Sequence, residues 1–346
     1  MLRIYSFGVA CLRWVEDLFQ GHTVIVGTTG SGKSNTLRFL ARKAVEKGRR
    51  ATILDWCGEH GLGFLTPFLP RIPFSDVREL LPTVLEETLR PSSGGISIGY
   101  AVTEGLEVAE SWEELVVFLK TRALKRDMGA MAALRRLVPL YRRGVLVDGK
   151  LEEDLFSDTV LDLSNLPPFE RRICLSMLLA LIYSRAVSGV LGGDLCVFID
   201  EAWQIHTGFE GMPVTLTMLM ELRKYDVNVF AVYQEPLKQL LRYNMVVHTL
   251  GHQSRLEYFY SLFPAGVDKL RVGEAYVYTL NRRKWVKVKV PITKAEHVVN
   301  ARVPRTTLLQ EKKEGKVQYS KPSLEERIRR LEKEVEMLKK RLNLKC

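Results

Sequence analysis

The chain has 346 residues, 46% of them apolar, and a formal net charge of +11, enough to bury one large α/β core with a smaller unit attached. Its longest apolar run, ICLSMLLALIYS at 173–184, is too short to span a bilayer, and its five cysteines form no CxxC pair, which argues against a membrane span, a disulfide framework and a zinc site. The charge is uneven: residues 301–346 hold 14 Lys and Arg against 7 Asp and Glu, so the other 300 residues are only mildly basic and a polyanion partner is permitted without being required.

The N-terminal MLRIYSFGVACLRWVEDLF carries charges through its apolar part and no small-residue cleavage site, so no signal peptide is expected and the location read from the sequence is cytoplasmic. Apolar, β-branched runs then recur at HTVIVG (22–27), ATILDW (51–56), TVLDLS (159–164), LCVFID (195–200) and VNVFAVYQ (227–234), each followed by helical spacing. Runs that apolar read as buried parallel strands. Residues 66–155 between the second and third runs show helical spacing and few strand signals, and read as a helical insertion on one side of the sheet. The run at 173–184 reads as a buried amphipathic helix. After VYQEP come MVVHTLG, EAYVYTL and KWVKVKV, the last two forming a hairpin that turns at Asn281, Arg282 and Arg283.

These readings divide the chain into a core of 1–65 and 156–302, the insertion at 66–155, a polar linker at 303–322 and a helix at 323–346. Ser323 and Glu326 are spaced as a capping box. Leu324, Ile328, Leu331, Val335, Leu338 and Leu342 follow at steps of 4, 3, 4, 3, 4, a heptad seam of the kind parallel dimers use. The expected role is a coiled coil that binds a partner protein, with docking on its own domain as the alternative.

Gly27, Thr28, Thr29, Gly30, Ser31, Gly32, Lys33 and Ser34 satisfy every fixed position of G-x-x-x-x-G-K-[ST] and follow a predicted strand. In such a loop the backbone N–H groups converge on phosphates at a helix N-terminus, Lys33 reaches the β- and γ-phosphates, and Ser34 ligates Mg²⁺. The partner carboxylate is expected at the end of another buried strand, and LCVFIDEAW supplies it. Asp200 would hold the Mg²⁺ shell, and Glu201 would deprotonate the attacking water. An acid in that adjacent position implies hydrolysis, whereas a small-molecule kinase has to suppress attack by water. ITKAEH at 292–297 has Glu296 where a guanine-recognition motif needs Asp, so ATP is favoured over GTP. Gln234, at the end of VNVFAVYQ, falls beside the nucleotide strands if the sheet is ordered as in RecA-like ATPases. There it can face the γ-phosphate or solvent.

Taken together, these segments resemble the HerA/FtsK superfamily of ring-forming DNA-pumping ATPases, most closely its archaeal HerA branch. GHTVIVGTTGSGKSNTL is similar to that family's first motif, including the second threonine and Asn35, which the resemblance adds to the nucleotide-binding set. ILDWCGEH resembles its D-P-H-G-E-Y segment, keeping Asp55, Gly58 and Glu59. TVLDLSNLPPFERRICLSMLLALIYSR is similar to the strand and helix before the second motif, ELRKYDVNVFAVYQEP to its G-R-K…Q-R-P stretch, and VDKLRVGEAYV to its late L-x-x-G-E-A element. Leu222 and Glu235 replace the Gly and second Arg of the fourth, and only about twenty residues precede the first strand, where the family carries a β-barrel. The resemblance covers about 20–65 and 155–300. It implies a RecA-like (ASCE) P-loop NTPase fold of the α/β class, ATP and Mg²⁺ as ligands, and a hexamer of copies that moves double-stranded DNA. It also implies a sensor role for Gln234 and an Arg223 that reaches the neighbouring subunit's ATP, with Lys224 as the fallback. Two other readings remain: a conjugation or secretion ATPase that moves protein or protein-bound DNA, and an ATP-dependent assembly switch. DNA contacts are sought in RALKRD (122–127), Arg135-Arg136, Arg142-Arg143 and the loop HTGFEGMP (206–213).

Overall fold

The five apolar runs pair as parallel strands in the middle of a nine-stranded sheet in the computed structural model of the chain, which describes residues 13–87, 94–149, 155–191, 193–206, 214–250 and 262–295. The elements begin with α1 (Arg13–Leu18), β1 (Thr23–Val26), α2 (Lys33–Glu46) and β2 (Arg50–Asp55). Short strands β3 (Thr66–Phe68) and β4 (Ile72–Pro73) lead into α3 (Phe74–Val77), α4 (Leu81–Glu87), α5 (Gly94–Val108), α6 (Trp112–Leu124) and α7 (Met128–Arg142), closed by β5 (Leu146–Val147). The chain then returns to the sheet with β6 (Thr159–Asp162), α8 (Pro168–Val187), β7 (Leu195–Ile199), α9 (Trp203–His206), α10 (Val214–Glu221) and β8 (Val227–Tyr233). It finishes with β9 (Asn244–Val247), β10 (Glu274–Thr279) and β11 (Lys284–Lys289).

The sheet order is β11-β10-β9-β1-β8-β7-β2-β6-β3. All neighbours from β9 to β3 run parallel, and β10 lies antiparallel to both β9 and β11. Parallel strands demand cover on both faces, and the alternation of side chains shows both covers. Val24 and Val26 of β1, Val197 and Ile199 of β7, and Val229, Ala231 and Tyr233 of β8 join a core with α8 and the helices of 74–142. Ile25, Cys196, Phe198, Phe230 and Val232 face the other way, against α1 and α2. Phe198 and Phe230 stack on that side at 4.6 Å between ring centroids.

Helix α8 departs from the amphipathic expectation. Every residue from Ile173 to Ile182 is buried, because the sheet covers one side of the helix and α3, α4, α7 and α10 cover the rest. A helix apolar all round is one with no solvent face. The outer helices are capped locally. Ser111 accepts the Glu114 N–H at 3.1 Å, and Asp127 accepts that of Ala130 at 3.0 Å. Trp112, fully buried, donates its indole N–H to the Ile72 carbonyl at 3.0 Å and ties α6 to β4.

Two strand features within 66–155 have no counterpart in the sequence reading. β3 forms the outer edge of the main sheet beside β6, and β4 pairs with β5 as a separate two-stranded ribbon. Three residues, one of them Pro67, are too short for a period to register, and proline in a sheet belongs at an edge. The linker at 303–322 and the heptad helix at 323–346 lie outside the described residues. No described helix is long and apolar enough to cross a membrane.

Candidate nucleotide site

Strand register brings the two motifs together. Val26 is opposite Tyr233, Ile199 is opposite Ala231, and Leu54 is opposite Ile199. The residues that follow these strands therefore emerge at one edge of the sheet: Gly27 beside Gln234, and Asp55 beside Asp200. Since β8 separates β1 from β7, Gln234 leaves the sheet between the glycine loop and the acidic pair.

The loop is held from behind by backbone that is distant in sequence. Gly27 N–H donates to the Tyr233 carbonyl at 3.3 Å, and Thr28 N–H and Oγ1 both donate to the Thr249 carbonyl, at 3.0 and 3.2 Å. A Cβ on Gly27 would stand 2.6 Å from Ser31 Oγ and 2.7 Å from His248 Cβ, so only glycine fits there. Gly32 turns the chain into α2 at φ 111°, a left-handed value that favours glycine. Lys33 Nζ donates to the Thr28 carbonyl at 2.9 Å, closing the loop on itself. Burial lowers the lysine's pKa from its ordinary value, and the charges of Glu201 and Asp200 oppose that shift. Ser34 stands in the first turn of α2, whose 14 residues point their N-terminal dipole at the loop.

His248 supports the loop through two contacts. Its Nδ1 lies 2.9 Å from the Glu274 carbonyl and its Nε2 2.8 Å from Thr36 Oγ1 in α2. A carbonyl only accepts, so Nδ1 carries the proton, and a neutral ring takes the threonine hydroxyl's hydrogen at Nε2. Asn35 points away from the loop: its amide N–H donates to the Pro291 carbonyl at 2.9 Å, and its Oδ1 accepts the Thr293 N–H at 2.7 Å. The side chain that the family resemblance assigns to nucleotide binding is thus committed to the strap after β11.

On the acidic side, Glu201 adopts φ 52°, a left-handed conformation rare for a residue with a side chain. Its Oε2 accepts from Gln234 Nε2 at 3.3 Å and from the Trp203 indole N–H. Asp200 is buried, and its Oδ2 faces Nε2 of the buried His60 at 3.4 Å. Burial works to lower the pKa of His60, but the contact with Asp200 and the charges of Asp200 and Asp55 outweigh it, so the net shift is upward. Asp55 caps the turn after β2, accepting the N–H of Cys57, Gly58 and Glu59 on Oδ1 and that of His60 on Oδ2. Desolvation, joined by the charge of Asp200, raises its pKa against the charge and N–H of His60 and the Gly58 N–H. Cys57 is exposed, but partial desolvation of its thiol, reinforced by the charges of Asp200 and Glu201, pushes it up to about 12 and keeps it protonated.

Arg223 lies elsewhere. It is exposed in the short 3₁₀ turn Leu222–Tyr225 before β8, and its guanidinium packs over Gly21, just ahead of β1. The length of β8, seven residues at ~3.3 Å each or about 23 Å, separates it from Gln234. Arg223 therefore stands at the opposite sheet edge from the loop of its own chain. Lys224 pairs with Glu221 at 2.9 Å. Among the basic residues sought as DNA contacts, Arg136 is buried against Phe169, Arg122 pairs with Glu104 and Asp127, and Arg143 pairs with Glu170 at 2.9 Å. Lys125, Arg126, Arg135 and Arg142 are exposed. Residues 207–213 lie outside the described residues.

Sequence reasoning missed His60, Trp203 and His248 as parts of this site. Trp203, two residues after Glu201, was within reach of local reading. His60 and His248 carry no local signal, because the sheet alone brings them to the motifs.

The glycine loop, the Ser34 hydroxyl and the buried Asp200 fit a nucleoside triphosphate with Mg²⁺. Residues 9–94 match the family model described as the central domain of helicase HerA. No curated protein sequence matches. Solved structures with a similar fold include VirB4 of Thermoanaerobacter pseudethanolicus, at 14% identity and a TM-score of 0.57 over 80% of this chain and 91% of that one. The bacterial conjugative coupling protein TrwB is similar at 18% identity and a TM-score of 0.63 over 88% of this chain and 93% of that one. TrwB solved with ADP and Mg²⁺ aligns at 18% identity and a TM-score of 0.59 over 84% and 89%. The chain has the RecA-like P-loop ATPase fold and resembles the HerA/FtsK superfamily.

Proposed function

We propose that this chain, with its HerA/FtsK-type fold, is an ATP- and Mg²⁺-dependent ATPase whose hydrolysis moves double-stranded DNA through a ring of copies, six being the expected number. The observation that carries the reading is the division of the catalytic set. Glu201 and Gln234 are paired beside the glycine loop, whereas Arg223 stands at the far edge of the same sheet.

Each residue has a task in that reaction. Lys33 gives up the Thr28 carbonyl for the β- and γ-phosphate oxygens, and the N–H groups of 28–34 take the remaining phosphate charge. Ser34 and Asp200 would hold Mg²⁺, which would supply positive charge against the phosphates when bound. Glu201 accepts a proton from the attacking water as its oxygen bonds to the γ-phosphorus and the bridging oxygen leaves with ADP. Gln234, bonded to Glu201, sits where it can report the γ-phosphate to β8. At the other end of β8, Arg223 faces outward to a neighbouring copy's γ-phosphate, so turnover requires assembly.

A second reading, a conjugation or secretion ATPase that moves protein or protein-bound DNA, is favoured by the fold likeness to a conjugative coupling protein. ATPase rates with double-stranded DNA, single-stranded DNA and no DNA, alongside the oligomer mass, separate the two. Stimulation by duplex DNA in a ring-sized assembly is expected. Turnover indifferent to every DNA overturns the DNA motor and leaves the protein-moving reading.

A further inference from the structure

We propose that His60 is a positioning residue for the acidic motif: its Nε2 holds Asp200 by Oδ2 and so fixes the orientation in which the carboxylate meets the metal shell. The inference rests on the reading of Asp200 as a Mg²⁺-shell residue, and it deepens that reading.

Three observations carry it. The side chains of His60 and Asp200 are 0% and 4% exposed, with Nε2 and Oδ2 3.4 Å apart. Neither ring nitrogen of His60 makes a hydrogen bond of ordinary geometry to any described group, and among the described residues His60 is the ion-pair partner of Asp200. A buried carboxylate without a partner is costly, and a buried imidazole without one carries a smaller cost of the same kind, so each group compensates the other. The contact occupies Oδ2 and leaves Oδ1 outside it.

His60 is fixed in turn by the segment that carries it. Its N–H donates to Asp55 Oδ2 at 2.8 Å, and Oδ1 of the same carboxylate gathers the N–H groups of 57–59. Gly58 takes φ 75°, and a Cβ there would stand 2.7 Å from Ser164 Oγ, so the turn packs directly on the loop after β6. Arg171 donates to the Trp56 carbonyl at 2.7 Å, and Arg38 to that of Glu59 at 3.3 Å. The donor atoms of Asp55, His60 and Asp200 lie within 4.8 Å of one another, close enough to suggest a metal ion of their own. Asp55 already spends both oxygens on four backbone N–H groups, which favours positioning over ligation.

The test uses Mn²⁺ as the metal probe, titrated into the full chain with ADP and followed by electron paramagnetic resonance. Glutamine places an amide nitrogen near the Nε2 position and asparagine near that of Nδ1, so the two variants differ in whether they reach Asp200. H60N should weaken Mn²⁺ binding in the ADP complex about tenfold or more, the usual cost of losing such a partner, while H60Q stays close to wild type. ADP affinity in EDTA should be unchanged in both. Equal Mn²⁺ affinity in H60N and H60Q, or ADP binding in EDTA that falls as far as metal binding, overturns the assignment. Stoichiometric Mn²⁺ on the wild type without nucleotide also overturns it, in favour of a separate metal site. If H60N does not fold, H60A with added imidazole replaces it: restored Mn²⁺ affinity supports positioning, and no restoration overturns it. A wild type whose ADP binding ignores Mn²⁺ altogether sinks the reading of Asp200 itself, an outcome distinct from failure of His60 alone.

Discussion

Gln234 Nε2 lies 3.3 Å from Glu201 Oε2, so the end of β8 is hydrogen-bonded to the candidate general base at the end of β7. Loss of the base should be far more damaging to chemistry than to binding. Glu201→Gln is expected to lower kcat by ~10²–10⁴-fold while leaving nucleotide affinity near wild type. Gln234→Leu removes the donor and should reduce kcat with little change in KM. Steady-state rates paired with equilibrium binding of a fluorescent nucleotide check both. The E201Q variant also separates a motor from an assembly switch, because only a switch keeps its output without turnover.

Arg223 and Gln234 sit at opposite ends of β8, which makes a role for the arginine in its own site geometrically closed. Arg223→Ala should cost ~10³-fold or more in turnover with ATP binding intact. Mixed with Lys33→Ala protein, it should regain partial activity, since some interfaces then hold both an intact loop and an intact arginine. No recovery in rings shown to contain both variants would refute the assignment.

The two bonds from the Asn35 amide to Pro291 and Thr293 join the first turn of α2 to the strap that follows β11. Asn35→Leu breaks both in a half-buried setting and should destabilise the chain by about 1–3 kcal/mol, seen as a lower urea midpoint. Amide exchange should rise at 292–295 before it rises in β1. A variant that loses nucleotide affinity at unchanged stability would instead put the side chain on the nucleotide.

Gly27 has no room for a methyl group between Ser31 Oγ and His248 Cβ. Gly27→Ala should displace the loop and weaken nucleotide binding at least tenfold, with a smaller effect on far-UV circular dichroism. Calorimetric titration with ADP measures the first quantity directly.

Burial holds His22 and His248 down to about 4 from an ordinary 6.5. Between those values the unfolded chain binds protons that the native chain refuses. Stability contributed by each neutral ring is therefore complete above 6.5 and is lost as the pH falls towards 4, by roughly 3 kcal/mol per histidine. In urea midpoints, the share of stability carried by these two rings should fall from pH 6.5 to 4.5, against the opposite contribution of the upward-shifted His60 and Asp55. His248→Gln, which keeps a polar group but cannot titrate, should flatten that slope by close to one proton; an unchanged slope would contradict the buried neutral ring.

Local chemistry explains what could be read in advance. The loop 27–34, the pair Asp200-Glu201 and five of the seven parallel strands are continuous stretches that stand out by composition, because a phosphate loop needs closely spaced glycines and a doubly covered strand needs unbroken apolar residues. The hairpin of β10 and β11 was legible for the same reason: its turn lies between two alternating runs. β3 was not legible, since three edge residues carry no period. The full burial of α8 was missed because a helix pattern does not say what covers its second face.

Sequence by itself determined a parallel α/β core that carries a phosphate-loop motif and an acidic pair at the end of another strand. Only the tertiary structure decided who stands around that pair. The strand order places β8 between the two motifs, which pairs Gln234 with Glu201, while Arg223, in the turn before β8, stays at the opposite end of that strand. Register sets Asp55 beside Asp200 and thereby delivers His60. Gln234 meets Glu201 across 33 positions and His60 meets Asp200 across more than a hundred, both through strand pairing that no spacing along the chain encodes.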